Sequence, residues 1–236
     1  MSSKYNFLGL LPVRSGSKGI SNKNIKKFNE KPLMQWACEA MVNSKLLDYL
    51  ICSTDSDEYA NVATNCGLNV PFKRPNNLSN DNTLIIDVVK YILHELELLG
   101  QSFSHVVIIQ ATSPSVTAEY IDKGIEMMKT NDFDSLITGY IDDSFNPSLL
   151  FTLNKDNQVN WYDKSHNKRS LRRQDFDKIF IRTGILYIHK VDNLLKFNSL
   201  YGKNIGCLEI PKKHALTIDD EIDFTIAEKL MEIEKE

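Results

Sequence analysis

Short apolar runs and amphipathic stretches alternate along almost the whole chain. "YNFLGLLPV" at 5–13 is an uninterrupted apolar run, the pattern of a strand covered on both faces. "KPLMQWACEAMVNS" has helical spacing, and "DYLICSTD" reads as a second strand. The rhythm then repeats. "SDEYANVATNCG" opens on an N-cap signature and closes on a glycine, "LNVPFKRP" predicts a short strand, and "NTLIIDVVKYILHELELLG" predicts a long amphipathic helix stopped by Gly100. "SHVVIIQATSP" predicts a central strand ending in a turn, "TAEYIDKGIEMMKT" a helix and "FDSLITGYI" a further strand. Such alternation means βαβ units: an α/β fold with a mainly parallel sheet flanked by helices.

From about 143 to 180 the rhythm breaks. "SLLFTLN", "QVNWYDKS" and the basic "HNKRSLRRQDF" predict hairpin strands and a loop, a flap leaving the sheet. It resumes with "KIFIRTGILYIHK" and "IGCLEI", and a helix from roughly 220 ends the chain. The reading is one domain over 1–236 with a flap excursion.

Composition narrows the class. The 236 residues are 42% hydrophobic and 25% charged, the range of one large globular domain. No apolar run approaches the ~18 to 20 residues of a membrane span, and "MSSKYNFLG" lacks the order of a signal peptide, so a cytoplasmic protein without membrane contact is expected. Cys38, Cys52, Cys66 and Cys207 form no CxxC pair and sit in apolar patterns, so they are expected to be reduced and buried. A net charge of −3 and the lack of an aromatic-studded basic stripe argue against nucleic acid as a partner.

Charge is uneven nonetheless. Through residue 31 there are seven Lys or Arg against Glu30 alone, while 219–236 carries eight Asp or Glu against two Lys. The basic block surrounds Gly16 and Gly19 in "LPVRSGSKGISNKNIK", directly after the first strand. Ligands of open α/β sheets collect at the carboxyl ends of strands, where glycines admit close backbone approach and cations meet phosphate. Neither GxxxxGK[ST] nor GxGxxG occurs here, so spacing leaves both a phosphate loop and a plain basic turn open. His94, His105, His166, His189 and His214 form no metal-ligand spacing, and no general base is visible.

"RSGSKGISNKNI" resembles the signature of the CMP-sialic acid synthetases, cytidylyltransferases that activate nine-carbon sugar acids with CTP. "STDSDE", "KRPNNLSND", "IQATSP", "RRQD", "RTGILYI" and "LTIDDEIDF" follow in the family's order, so the resemblance spans nearly the whole chain. It implies a Rossmann-like nucleotide-diphospho-sugar transferase fold with a dimerisation flap. The implied reaction is attack of the sugar's anomeric hydroxyl on the α-phosphate of CTP, releasing pyrophosphate, for surface glycans such as capsule or lipopolysaccharide. Arg14, Lys18, Lys23 and Asn24 match the family's nucleotide contacts, and Arg74 and Thr83 its nucleotide pocket. Read alone, Arg74 before a proline suits a surface turn and Thr83 a helix N-cap. Gln110 matches a glutamine facing the sugar, Arg173 and Tyr187 further sugar contacts, and Arg172 and Arg173 with Lys23 the catalytic cations. Lys26 and Lys27 fall outside the match and are expected to be solvated.

Two positions depart from the family. Thr183 stands where the family has Asn. Thr217 stands with Asp219 where it has two Mg²⁺-binding aspartates, leaving Asp219 as the implied metal ligand and Mg²⁺ as the implied cofactor. Asp223 matches an aspartate with a helix-start role. The resemblance implies CTP and a nine-carbon sugar acid as partners, and a homodimer. The alternatives are a synthetase for the eight-carbon acid KDO, which resembles the basic loop less well, and a nucleotide-binding paralogue with weak turnover, motivated by Thr217.

Overall fold

The computed structural model describes residues 6–16, 19–142, 145, 147–162 and 178–233. Lys18, Arg172 and Arg173 lie outside the described residues. A six-stranded sheet is built from β1 (Phe7–Pro12), β4 (Tyr49–Ser53), β5 (His105–Ile109), β6 (Ser135–Ile141), β9 (Phe180–Lys190) and β10 (Ile205–Glu209), in the order β10-β6-β9-β5-β1-β4. β1 runs parallel to β4 and β5, and β10 parallel to β6. β9 is antiparallel to both its neighbours, β5 and β6. The sheet is therefore mainly parallel, as the alternation predicts, with one reversed strand that a run of apolar residues does not announce.

β1 shows why the first run is apolar throughout. Its side chains alternate between two buried faces. Phe7 and Leu11 join a core with α1 (Leu33–Asn43) and α4 (Ala118–Thr130), whereas Leu8 and Leu10 join a core with α3 (Ile85–Leu98) on the other face. Ser56 caps α2 (Asp57–Asn65) by accepting from the Tyr59 amide, and Thr117 caps α4 by accepting from Tyr120. The short β2 (Lys27–Phe28) and β3 (Lys31–Pro32) form a hairpin closed by Asn29 and Glu30, both at positive φ, the geometry of a two-residue hairpin turn.

A third, smaller core ties the two ends of the chain together. Ile20, Phe28 and Leu33 pack against Ile218, and against Phe224 and Ala227 of α6 (Glu221–Ile233). Lys26 reaches Glu221 at 2.7 Å and lies 4.5 Å above the Phe224 ring. The basic opening block and the acidic closing block thus meet each other. Lys26 is ion-paired rather than simply solvated.

Other expectations need correction. The strand expected in 68–75 reduces to one bridge between Asn69 and Ile51, because Pro71 and Pro75 remove ladder donors. Thr83 does not cap α3. Leu84 occupies that position without a side-chain cap, and the Thr83 hydroxyl points back to the Asn77 carbonyl at 3.5 Å. A helix not expected from the pattern, α5 (Val191–Phe197), follows β9. Cys38 and Cys52 are buried as expected, but Cys66 is half-buried and Cys207 is exposed on the edge strand β10. In the flap region, β7 (Phe151–Leu153) and β8 (Val159–Trp161) form the expected hairpin, exposed along its length.

Candidate active site

Beyond the carboxyl ends of β1 and β5 opens a cleft of about 500 Å³. Pro12 and Arg14 continue β1 into it, and Gln110 to Thr112 continue β5. Gly19, Lys23 and Asn24 of the opening loop form one wall. Arg74, Asn80, Asp81, Thr83 and the start of α3 form another, and Thr217 and Asp219 of the closing segment complete the rim. Of the residues expected from the sequence, Arg14, Lys23, Asn24, Arg74, Thr83, Gln110 and Asp219 line one space. Asn80, Asp81 and Thr112 line it too and were not anticipated individually, although they fall within or beside the motif segments.

Each cation is held by the fold. Lys23 sits on a single helical turn and is buried; its Nζ donates to the Ile218 carbonyl at 2.6 Å and lies 3.6 Å from Asp219 Oδ1. A Cβ at Gly19 would collide with the Asp219 carbonyl, so only glycine allows the opening loop to lie this close to the closing segment. Ile218 is fixed in turn by its amide, which donates to the Thr112 carbonyl at 2.8 Å. Arg14 pairs with Asp81 and donates to the Gly16 carbonyl at 3.3 Å, and Asn24 donates to the Arg14 carbonyl at 3.3 Å.

Arg74 is no surface turn residue. It is 4% exposed, donates from Nη2 to the Val13 carbonyl at 2.8 Å and from Nε to Ser79 Oγ at 3.2 Å, and stands 4.0 Å from Asp55. Burial draws its pKa below the ordinary arginine value, while Asp55 opposes that shift. Asp55 accepts from the Ser15 amide at 2.8 Å and from the Ser15 hydroxyl at 2.6 Å. Its burial works against ionisation, but the bonds from Ser15 outweigh it and hold the carboxyl below its usual range. The Asp55–Arg74 pair therefore braces both ends of the turn leaving β1.

Tyr187 does not line the cleft. Its ring packs with the core under α3, and burial raises the pKa of its hydroxyl. The hydroxyl nonetheless reaches to 3.9 Å from where a Cβ on Gly184 would stand, and the Thr217 hydroxyl to 3.7 Å from the same point. The buried thiols offer no nucleophile at neutral pH, since burial pushes Cys52 up to about 12.

The family profile described as Cytidylyltransferase matches residues 8–236. The chain belongs to the cytidylyltransferase family. It is 34% identical over 222 residues to a CMP-N,N'-diacetyllegionaminic acid synthase of Campylobacter jejuni, covering 94% of this chain and 93% of that protein. It is 33% identical over 220 residues to post-translational flagellin modification protein B of Campylobacter coli, covering 93% of this chain and 92% of that one. A solved CMP:2-keto-3-deoxy-manno-octonic acid synthetase complexed with CTP superposes with a TM-score of 0.72 over 97% of this chain and 99% of the other, at 14% identity, a likeness of fold.

For a cytidylyltransferase the cleft has the required electrostatics. Arg14, Lys23 and Arg74 all line it, a gathering of cations that suits a polyphosphate. At the rim stands the carboxylate of Asp219, four-fifths exposed and 3.6 Å from the Lys23 ammonium. Asp223 does not compete for that role. Its Oδ2 accepts from the amides of Asp219 at 3.0 Å and Asp220 at 3.2 Å, while Asp220 accepts from Ile222 and Asp223, both at 2.9 Å. That reciprocal box caps α6, the helix-start role expected of Asp223. No trio of His, Cys, Asp or Glu forms a ready-made metal cage among the described residues.

Proposed function

We propose that this protein transfers CMP from CTP to the anomeric hydroxyl of a nine-carbon, sialic-acid-like sugar acid and releases pyrophosphate. The observation that carries the reading is the convergence of Arg14, Lys23, Asn24, Arg74, Gln110 and Asp219 on one cleft at the ends of β1 and β5. The anomeric hydroxyl gives its proton to solvent water as its oxygen bonds to the α-phosphorus, the bond from that phosphorus to the bridging oxygen breaks, and pyrophosphate leaves with the electron pair. Such a transfer needs positioning and charge neutralisation more than covalent help. Arg14 and Lys23 meet the triphosphate, with Asn24 as a neutral donor beside them. Arg74 acts from beneath, fixing the turn that carries Arg14. Gln110, at the end of the central strand, offers an amide to sugar hydroxyls. Lys18, Arg172 and Arg173 belong to this reading as further cations.

The donor set fits Mg²⁺ brought in with substrate. This ion keeps waters readily and is held by one or two carboxylates plus phosphates. Asp219 would supply the carboxylate and Thr217 a hydroxyl or a water-mediated contact, and the ion would neutralise triphosphate charge. The nearby Lys23 ammonium weakens any metal binding in the absence of CTP.

The nine-carbon reading rests on a relative matched over 94% of this chain and 93% of its own, at 34% identity, whereas the octonic acid enzyme shares 14%. On this reading the reaction is a cytoplasmic step of surface-glycan synthesis. The exposed Phe151, Leu153, Trp161 and Tyr162 of the hairpin supply apolar area for a homodimer, which light scattering at micromolar concentration would test against a monomer.

Pyrophosphate release with CTP, Mg²⁺ and a panel of acids tests the reading. N-acetylneuraminate, N,N'-diacetyllegionaminate or pseudaminate should support turnover with kcat/KM at least about a hundredfold above KDO. Turnover with KDO alone, or with no acid, would overturn it.

A further inference from the structure

A second cavity, of about 330 Å³, opens between α1, the start of α4 and α6, within the roughly 300 to 1,000 Å³ of ligand sites. One face of α1 lines it, with Trp36, Glu39, Ala40 and Asn43 at helical spacing. Ala40 and Val116, both buried, give it an apolar lining together with Trp36 and Met231. Its polar groups are largely spent within the fold, and what remains is mostly able to accept. Glu39 accepts from Gln35 Nε2 at 2.9 Å and from the Lys31 ammonium. Burial works against its ionisation, but these two bonds outweigh it and hold the carboxyl below its usual range. Each carboxylate oxygen keeps a lone pair for a ligand. Ser115 gives its hydroxyl proton to the His214 carbonyl at 2.5 Å, so toward the cavity it can only accept. The Asn43 amide has no bond among the described residues and offers both functions.

This lining selects a chemistry. Among the described residues no Lys or Arg lines the cavity, so an anion would find no partner and would meet the ionised Glu39. Spare acceptors call for O–H and N–H donors, and the apolar lining calls for a C–H face; a sugar ring presents both. Two segments then connect the cavity to the cleft. Thr112 lines the cleft and Pro114 to Ala118 the cavity, while His214 lines the cavity and Thr217 and Asp219 the cleft. The segments are bonded to each other at both ends, through Ser115 and the His214 carbonyl at 2.5 Å and through the Ile218 amide and the Thr112 carbonyl at 2.8 Å. The Tyr120 hydroxyl bonds His214 Nδ1 and ties the same turn to α4. We propose that this cavity is an effector site for an uncharged sugar ring, coupled through these two segments to nucleotide binding in the cleft.

Saturation-transfer NMR on the full chain, with N-acetylglucosamine and galactose as probes, tests the site. At least one probe should receive transfer, and Asn43→Leu and Ala118→Leu should each weaken its binding at least about tenfold, by loss of the amide and by loss of space. Asn43 is exposed at the end of α1 and Ala118 opens α4, so both variants should fold and bind CTP as wild type does when no probe is present. The 6-phosphate of the same sugar should bind at least about tenfold more weakly than the uncharged form, for want of a cation. Saturating probe should change the CTP dissociation constant in calorimetry at least about threefold, and CTP should change the affinity of the probe by the same factor. Transfer to neither probe, transfer that either variant leaves unchanged, tighter binding of the 6-phosphate, or a CTP affinity unmoved by saturating probe would each overturn the proposal.

Discussion

The ammonium of Lys23 donates to the carbonyl of Ile218, 195 residues further along the chain, at 2.6 Å. This bond joins the basic loop after the first strand to the segment that carries Thr217 and Asp219. Lys23 also lines the cleft, so the residue that closes the site adds charge to it. Lys23→Ala is expected to lower CTP affinity by about 1 to 3 kcal/mol, the range for a charge-assisted bond, and also to lower the melting temperature. Titration calorimetry on the purified variant reads the first effect. Wild-type CTP affinity would remove Lys23 from the nucleotide site.

Gly19 makes the same closure from the backbone. Alanine there drives a Cβ into the Asp219 carbonyl, a main-chain atom that cannot swing aside. Gly19→Ala should cost about 1 to 3 kcal/mol of stability, typical of overpacking, and weaken CTP binding with it. Denaturant unfolding compared with wild type checks this, and a variant of wild-type stability would show that the two segments do not meet as described.

In the proposed reaction Asp219 is the carboxylate that would hold Mg²⁺. Asp219→Ala should nearly abolish turnover while leaving the fold intact. Thr217→Asp should lower the Mg²⁺ concentration for half-maximal rate, because a second anionic oxygen adds attraction at close range. A metal titration of wild type and both variants decides: an Asp219→Ala enzyme that keeps most of its activity at the same Mg²⁺ dependence places the metal elsewhere.

Two buried histidines set a pH dependence of stability. Burial lowers His105 and His189 from an ordinary 6.5 to about 4, with Lys190 adding to the effect at His105 and Asp192 opposing it. Both are neutral in the fold, and the unfolded chain takes up their protons first. Stability should therefore be full above about pH 6.5 and fall as pH drops toward 4, with steepness set by the protons taken up on unfolding. Melting curves between pH 7.5 and 4.5 should show this fall, and His189→Leu should flatten it. A melting temperature constant from pH 7 to 5 would contradict it.

Much of this could be read in the sequence because period and order are local signals. The buried β1, the amphipathic α3 and α4 and the exposed hairpin follow from spacing alone. Resemblance gathered Arg14, Lys23, Asn24, Gln110 and Asp219 in advance, because the loop after β1, the end of β5 and the segment before α6 are tied together at one cleft. What escaped depends on distant partners. The pairing of Lys26 with Glu221 and the burial of Arg74 against Val13 and Asp55 are contacts between segments that no window spans. The reversed direction of β9 and its register shift opposite Ile137 and Thr138 show only in its pairing with β5 and β6, and α5 is too short for helical periodicity to register. Thr83 reads as a cap because it precedes a helix, yet α3 begins two residues later.

The central claim is the transfer itself, and phosphorus NMR of the reaction mixture tests it most directly. With CTP, Mg²⁺ and a nine-carbon sugar acid, the triphosphate signals should give way to one phosphodiester resonance, that of the CMP-sugar, and to pyrophosphate in equal amount. Both should be absent when the acid is omitted. Conversion of CTP to CDP and inorganic phosphate, or triphosphate signals unchanged with every nine-carbon acid, would contradict the account.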